Sequence, residues 1–191
     1  MTPDPALDEA FAAAPRTRFL PRKQRRFAGL DQPLPIGWGQ TNSQPRTVRT
    51  MLALLDVRTG QRVLDVGCGS AWTTALLARL VGPTGEVIGV EIVPELVAFG
   101  RANLTPFGLG WAGVHAADPD VLGRPAQAPY DRILVSAEAR SLPWDLADQL
   151  AADGGVMVVP VDGELLLVRQ QPGRAHVERH GAYAFVPLVG G

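Results

Sequence analysis

The chain of 191 residues holds one cysteine, three histidines and almost no charge imbalance, and each shortage removes a class of protein. One cysteine forbids an internal disulfide framework and points to a reducing compartment. Three scattered histidines with Cys68 make no zinc set, so no metal is expected. Eighteen Lys and Arg against nineteen Asp and Glu leave no global field to draw the protein toward nucleic acid or anionic lipid. No apolar run approaches the roughly 18 residues that a membrane helix needs. Asp4, Asp8 and Glu9 stand where a secretory signal would be basic and then apolar, so a cytoplasmic protein is expected.

What is present fits one α/β domain with an N-terminal attachment, residues 1–44 as extension and substrate-side loop and 45–191 as core. Residues 4–14 suit a short helix that ends before Pro15. Six basic residues then fall within the eleven from Arg16 to Arg26. They suit either a patch for nucleic acid or an acidic substrate, or a solvated arm around a few buried anchors. Asp31 to Gly39 is rich in Pro and Gly and is expected to be an irregular loop. Ser43-Gln44-Pro45 opens a helix to about Asp56, with Pro in the first turn, Ser43 able to cap, and Val48, Met51, Leu52 and Leu55 on one face.

From Gly60 the pattern alternates. Strands are predicted at 62–66, 86–92, 112–116, 132–136, 155–160 and 164–169, helices at 71–80, 94–104 and 144–151, and a last strand at 183–188. Successive strand–helix units imply parallel strands with right-handed crossovers, hence a doubly wound, Rossmann-like sheet.

Val63-Leu-Asp-Val-Gly-Cys-Gly-Ser70 runs from a buried strand into a two-glycine turn and then a helix. Ligands bind at the carboxyl ends of such strands, and glycine lets the backbone approach them. Trp72 occupies the third glycine position of a dinucleotide fingerprint, and no Gly-Lys-Ser/Thr follows, so pyrophosphate and P-loop sites are both excluded. A ligand with an aminoacyl group and no phosphates remains. Glu91 ends the second strand, 24 residues after Gly67, where a carboxylate can accept from ribose hydroxyls. Alone, the turn could be an ordinary tight turn and Glu91 a solvated strand end.

These motifs, together with Gly39-Gln-Thr-Asn-Ser-Gln-Pro45, Ala128-Pro-Tyr-Asp131, Gln149-Leu150 with Gly154-Gly155, and Phe185-Val-Pro-Leu188, resemble in order those of the protein-L-isoaspartate O-methyltransferases. Ala14-Pro-Arg16, Phe19-Leu-Pro21 and Pro33-Leu-Pro-Ile-Gly37 extend the likeness over nearly the whole chain. The resemblance implies an enzyme using S-adenosyl-L-methionine, held by Asp65, Gly67, Cys68, Gly69, Ser70, Glu91, Ile92 and Asp118. It implies Thr41 and Ser43 on the substrate side, facing a peptide or protein carboxylate.

A hydroxyl at a helix N-terminus is a suitable carboxylate site. Methylating an ionised carboxylate needs alignment more than acid–base machinery, consistent with the lack of any His-Asp or Cys-His pair. His115, His176 and His180 are expected to be structural or exposed. The partner expected is a carboxylate-bearing polypeptide, with no nucleic acid or membrane, and the state expected is a monomer.

Three positions depart from the family pattern. Asn42 replaces an apolar residue, Ala71-Trp72 replaces Gly-Tyr, and Ala117-Asp118-Pro119 replaces Gly-Asp-Gly. These leave open a related carboxyl methyltransferase acting on one peptide or natural-product precursor, or a cofactor-binding module without catalysis. An amino-directed nucleic-acid enzyme is disfavoured, because Ser136-Ala-Glu-Ala stands where Asn/Asp-Pro-Pro-Tyr/Phe would be needed.

Overall fold

Short runs of Val, Ile and Leu make the strands of a seven-stranded sheet in the computed structural model, which describes residues 4–189. The ends of the expected 1–191 domain therefore lie outside the described residues. Strands β3 (Arg62–Val66), β4 (Glu86–Glu91), β5 (Ala112–Ala116), β6 (Arg132–Val135) and β7 (Val156–Val161) are parallel. Strands β8 (Glu164–Gln171) and β9 (Arg174–Ala182) add an antiparallel hairpin, giving the order β5-β4-β3-β6-β7-β8-β9. The chain moves outward from β3 through β4 to β5 and then returns to β6 on the other side of β3. The loop after β3 therefore sits at the switch point, where open α/β sheets hold ligands.

Alternate strand residues feed two cores. Val63, Val87, Val114 and Leu134 pack beneath α1 (Pro5–Ala13), α2 (Pro45–Leu55), α3 (Trp72–Val81) and α4 (Pro94–Leu104). Leu64, Ile88, Ile133 and Met157 face α5 (Trp144–Ala147) and the segment around Tyr130. Among the described residues no helix is long and apolar enough to cross a membrane.

Four local expectations are corrected. The loop expected at 31–39 contains a hairpin of β1 (Leu34–Gly37) and β2 (Gln40–Asn42), because Leu34 and Ile36 alternate inward and Gly37, Trp38 and Gly39 all take positive φ at its tip. The helix expected to reach residue 151 stops at Ala147; Tyr130 N–H donates to Gln149 O and Ala151 N–H to Tyr130 O, which draws 149–151 away from a helix. Residues 183–188 form no strand, since the last strand is β9, Gly181 at φ 95° bends the chain, and Pro187 has no N–H for a ladder. Nor does Ser43 cap α2: its N-cap is Gln44, and Asp31 Oδ1 accepts from Arg46 N–H at 2.9 Å.

Candidate active site

The turn after β3 is anchored from behind by β4. Gly67 and Cys68 N–H both donate to Val90 O at 2.9 and 3.1 Å, and Glu91 Oε2 accepts from Gly69 N–H at 2.9 Å. The other oxygen of Glu91 accepts from Val93 N–H at 2.9 Å. Each oxygen thus keeps a lone pair for a ligand. Gly69, at φ 53°, could not carry a Cβ without pressing on Ile36 Cδ1 at 3.1 Å, so glycine there lets the turn meet the β1–β2 hairpin.

Two recesses open on this turn and a third lies beside them, and all three share Thr41 and Ser136. The first is lined by Gly67, Gly69, Glu91, Ile92 and Asp118, with Ile36 and Gln40 from the hairpin and Val186 to Val189 from the C-terminal segment. Its charged lining residues are Glu91 and Asp118, with no Lys, Arg or His. Such a cleft suits a cationic, phosphate-free ligand.

The second recess is lined by Thr41, Asn42, Ser43, Cys68, Gly69 and Ser70. The third is bounded by Thr41, Ser43, Gln44, Thr47, Ser136 and Phe185. Thr41 and Ser43 thus stand together with the glycine turn at the place where the first recess meets the other two.

Asp65 is the exception among the expected site residues. It is fully buried behind the turn, its Oδ2 accepting from Thr73 and Thr74 hydroxyls at 2.7 Å each, and it lines none of the three recesses. Burial, reinforced by the negative charge of Glu91, pushes its carboxyl up to about 6 against the pull of the two threonines. Asp65 holds the start of α3 instead of the ligand. Burial likewise pushes the Cys68 thiol up, with Asp65 and Glu91 adding to it, so the thiol is not an activated nucleophile.

Asn42 turns inward. Its Oδ1 accepts from Arg16 Nε at 2.7 Å and its Nδ2 donates to Ser70 Oγ at 3.1 Å. Arg16, counted above with the basic arm, is buried and donates to the carbonyls of Leu30, Gln32, Asn42 and Ser43 at 2.8 to 3.0 Å. Burial lowers its pKa to about 10, Asp31 opposing, and it remains charged.

The residues to which the sequence assigned no site role are Ser136 and the C-terminal segment, whose Phe185-Val-Pro-Leu188 entered only as part of the family likeness. Ser136 follows β6 at the carboxyl edge, and that position was the available signal. Nothing local marks Val186 to Val189 as a cleft wall. None of the three histidines lines these recesses.

The sequence profile of Protein-L-isoaspartate(D-aspartate) O-methyltransferase matches residues 2–191. The chain belongs to this family. It is 46% identical over 187 residues to the protein-L-isoaspartate O-methyltransferase of Methanopyrus kandleri, covering 95% of this chain and 82% of that protein. The Pyrococcus horikoshii relative is 39% identical over 190 residues, with coverage of 96% and 84%. A solved protein-L-isoaspartate O-methyltransferase superposes with a TM-score of 0.89 at 24% identity, over 98% of this chain and 62% of that one, and shares the fold. A Plasmodium falciparum protein assigned to the same enzyme class, solved with S-adenosyl-L-homocysteine, gives 0.84 at 25% identity over 97% of this chain and 90% of that one. Family membership makes this chain a methyltransferase with an isoaspartate-methyltransferase fold.

Proposed function

We propose that this methyltransferase esterifies the α-carboxylate of L-isoaspartyl residues in damaged polypeptides, with S-adenosyl-L-methionine as donor, and so starts their return through succinimide toward aspartate. The observation that carries this reading is the shared wall: Thr41 and Ser136 border both the anionic cleft and the hydroxyl-rich recesses beside it, which Ser43 also lines. Relatives that are 38–46% identical over nearly the whole chain carry that enzyme name.

When bound, the donor supplies a sulfonium-activated methyl group. A cleft with two carboxylates and no cation fits it, as does backbone exposed at Gly67 and Gly69 for the aminoacyl end. Glu91 would hold the ribose hydroxyls, Asp118 the adenine side, and Ile92 the apolar face, while Cys68 and Ser70 back the turn.

The substrate carboxylate is ionised near pH 7, so no residue has to remove a proton. Thr41, Ser43 and Ser136 donate hydroxyl hydrogens to it and fix its direction, while Phe185 and Val186 wall the recess against water. Positioning of two reactants can supply roughly 7 to 11 kcal/mol of a barrier.

We read residues 1–44 as an N-terminal extension and substrate-side loop and 45–191 as the cofactor-binding core of one methyltransferase domain, working as a cytoplasmic monomer, with Ile36 and Gln40 of the extension also lining the cleft and Phe185 and Val186 of the core closing the substrate recess.

Transfer of labelled methyl to an isoaspartyl peptide, against its aspartyl twin, tests the activity. Labelling of the first alone is expected, and equal or absent labelling of both overturns it. Ser43→Ala should lower kcat/KM by roughly 10- to 150-fold, the worth of a hydrogen bond to a charged group.

A further inference from the structure

One groove on the outer side of the β1–β2 hairpin lies outside the site described above. Its apolar floor is Pro21, Pro35, Trp38 and Phe99, and Arg22 and Lys23 stand on its rim. Trp38 is 54% exposed at the hairpin tip and, with Pro21, Pro35 and Phe99, makes an apolar surface open to solvent.

The charge around this groove is segregated. Six of the eighteen basic residues lie in 16–26, and none of the nineteen acidic ones lies between 10 and 30, so the rest of the chain carries twelve basic against nineteen acidic residues. With Arg16 buried, Arg18, Arg22, Lys23, Arg25 and Arg26 are exposed, and among the described residues none of the five is paired with a carboxylate.

The groove and the substrate recess are related through the β1–β2 hairpin, which contributes to the walls of both. Pro35 on the groove side is the cross-strand partner of Thr41, and directly opposed residues of a hairpin lie about 5 Å apart on one face. Ile36 lines both the groove and the cofactor cleft. An extended polypeptide advances about 3.3 Å per residue. A chain crossing the hairpin with one carboxylate at Thr41 and Ser43 therefore brings residues roughly three to five positions away over Trp38 and beside Arg22 and Lys23.

We propose that this groove binds the acidic flank of the polypeptide substrate, so that the enzyme prefers isoaspartyl sites with Asp or Glu a few residues away. Arg22 and Lys23 attract the flank, and Pro35 and Trp38 give its side chains an apolar seat. The proposal rests on the isoaspartyl reading above. A polypeptide is favoured over nucleic acid because the cations border a proline-lined apolar trough on the same hairpin that walls the hydroxyl-lined recess.

The experiment uses two isoaspartyl peptides with the same core, one flanked by Glu and one by Ser, on the full chain and on the double variant R22E/K23E. For wild type at low salt, KM is expected to be at least about fivefold lower for the Glu-flanked peptide, as two or three rim ion pairs provide. The preference should fade at about 0.5 M salt. It should vanish in R22E/K23E while turnover of the Ser-flanked peptide is unchanged. Trp38→Asn, which tolerates the positive φ of 52°, should weaken both flanks' binding without removing the charge preference.

Equal KM values for wild type, or a preference that survives in R22E/K23E, overturn the proposal. Direct binding of a labelled Glu-rich aspartyl peptide, by fluorescence anisotropy, separates the two readings. If wild type binds it and R22E/K23E does not, the groove stands even where no isoaspartyl peptide turns over. If a short oligonucleotide displaces that peptide at lower concentration than an unlabelled copy does, the surface belongs to nucleic acid and the proposal falls.

Discussion

The anionic cleft and the hydroxyl-lined recess, proposed for cofactor and substrate, share Thr41 and Ser136, yet they are built by different means. The cleft is framed by the carboxyl ends of β3, β4 and β6, strands buried on both faces and placed by the core. The recess is framed by the β1–β2 hairpin and residues 184–186, segments far apart in the chain that sit outside the seven-stranded sheet. Two buried or half-buried charged side chains hold them: Arg16 ties the hairpin region down, and Glu138 pins the C-terminal segment. Core packing sets the first site, and polar clamps set the second, so substitutions can separate them.

The largest effect is expected at Arg16. Its guanidinium is the shared donor for the carbonyls of Leu30, Gln32, Asn42 and Ser43 and for the Asn42 side chain, and it also lies 5.4 Å over the Trp72 ring. Arg16→Met fills the space but leaves several buried acceptors without a donor, at about 1–3 kcal/mol for each that water cannot reach. A loss of at least about 4 kcal/mol is expected in urea unfolding, with Arg16→Lys recovering only part, because an ammonium cannot reproduce the planar fork. A loss under about 1 kcal/mol would show that water replaces the clamp.

Asp65 tests the other region. Its carboxyl titrates near 6 in the folded chain against an ordinary 3.8, so the folded state holds the proton more tightly than the unfolded one. Stability from this group is full below pH 3.8, is lost as pH rises from 3.8 to 6, and stays lost above. The loss amounts to about 3 kcal/mol. Asp65→Asn cannot titrate, so the stability of wild type relative to this variant should fall by about that amount between pH 4 and pH 7. A pH-independent difference would mean that Asp65 is hydrated in solution, which its unpartnered Oδ1 makes a sharp question.

Glu138 comes next. Its Oε2 accepts from Phe185 N–H at 3.3 Å and its Oε1 from Gly163 N–H at 3.2 Å, while its backbone exchanges bonds with Val186 and Leu188 at 2.8 Å. Removing the carboxylate frees the segment that walls both recesses. Glu138→Ala should raise KM for an isoaspartyl peptide about tenfold, equivalent to about 1.4 kcal/mol, with a smaller change in kcat. Unchanged KM with a lowered melting temperature would make the contact merely structural.

The same contrast explains how much was legible in the sequence. The parallel strands and their helices announce themselves locally, through apolar runs and proline at the first turns of α2 and α4, and the glycine turn with Glu91 follows from them. Arg16 read as part of a basic arm because its burial depends on carbonyls up to 27 residues away. Asp65 read as a ligand-side residue, since strand position does not reveal which face the threonines of α3 occupy. The hairpin hid behind its prolines, and the closing segment behind Pro187, for the same reason: each is stabilised by distant partners and not by a local repeat.

The smallest effect is expected at Ala71, where the family pattern has glycine. Ala71 takes φ 68° at the N-cap of α3 and is fully buried. A left-handed alanine costs about 1–2 kcal/mol. Ala71→Gly relieves that strain, but it loses a buried methyl worth about 0.8 kcal/mol and adds about 0.5–1 kcal/mol of unfolded-chain entropy. These nearly cancel, so the change in urea unfolding should stay within about 1 kcal/mol of zero. The methyl also fills the space beside Gly100, whose own added Cβ would stand 3.3 Å from it. A loss well above 1 kcal/mol would show that this contact outweighs the strain. A near-zero result would mean that the cofactor side, framed by the core, tolerates its departure from the family pattern, while the polar clamps of the substrate side have no such slack.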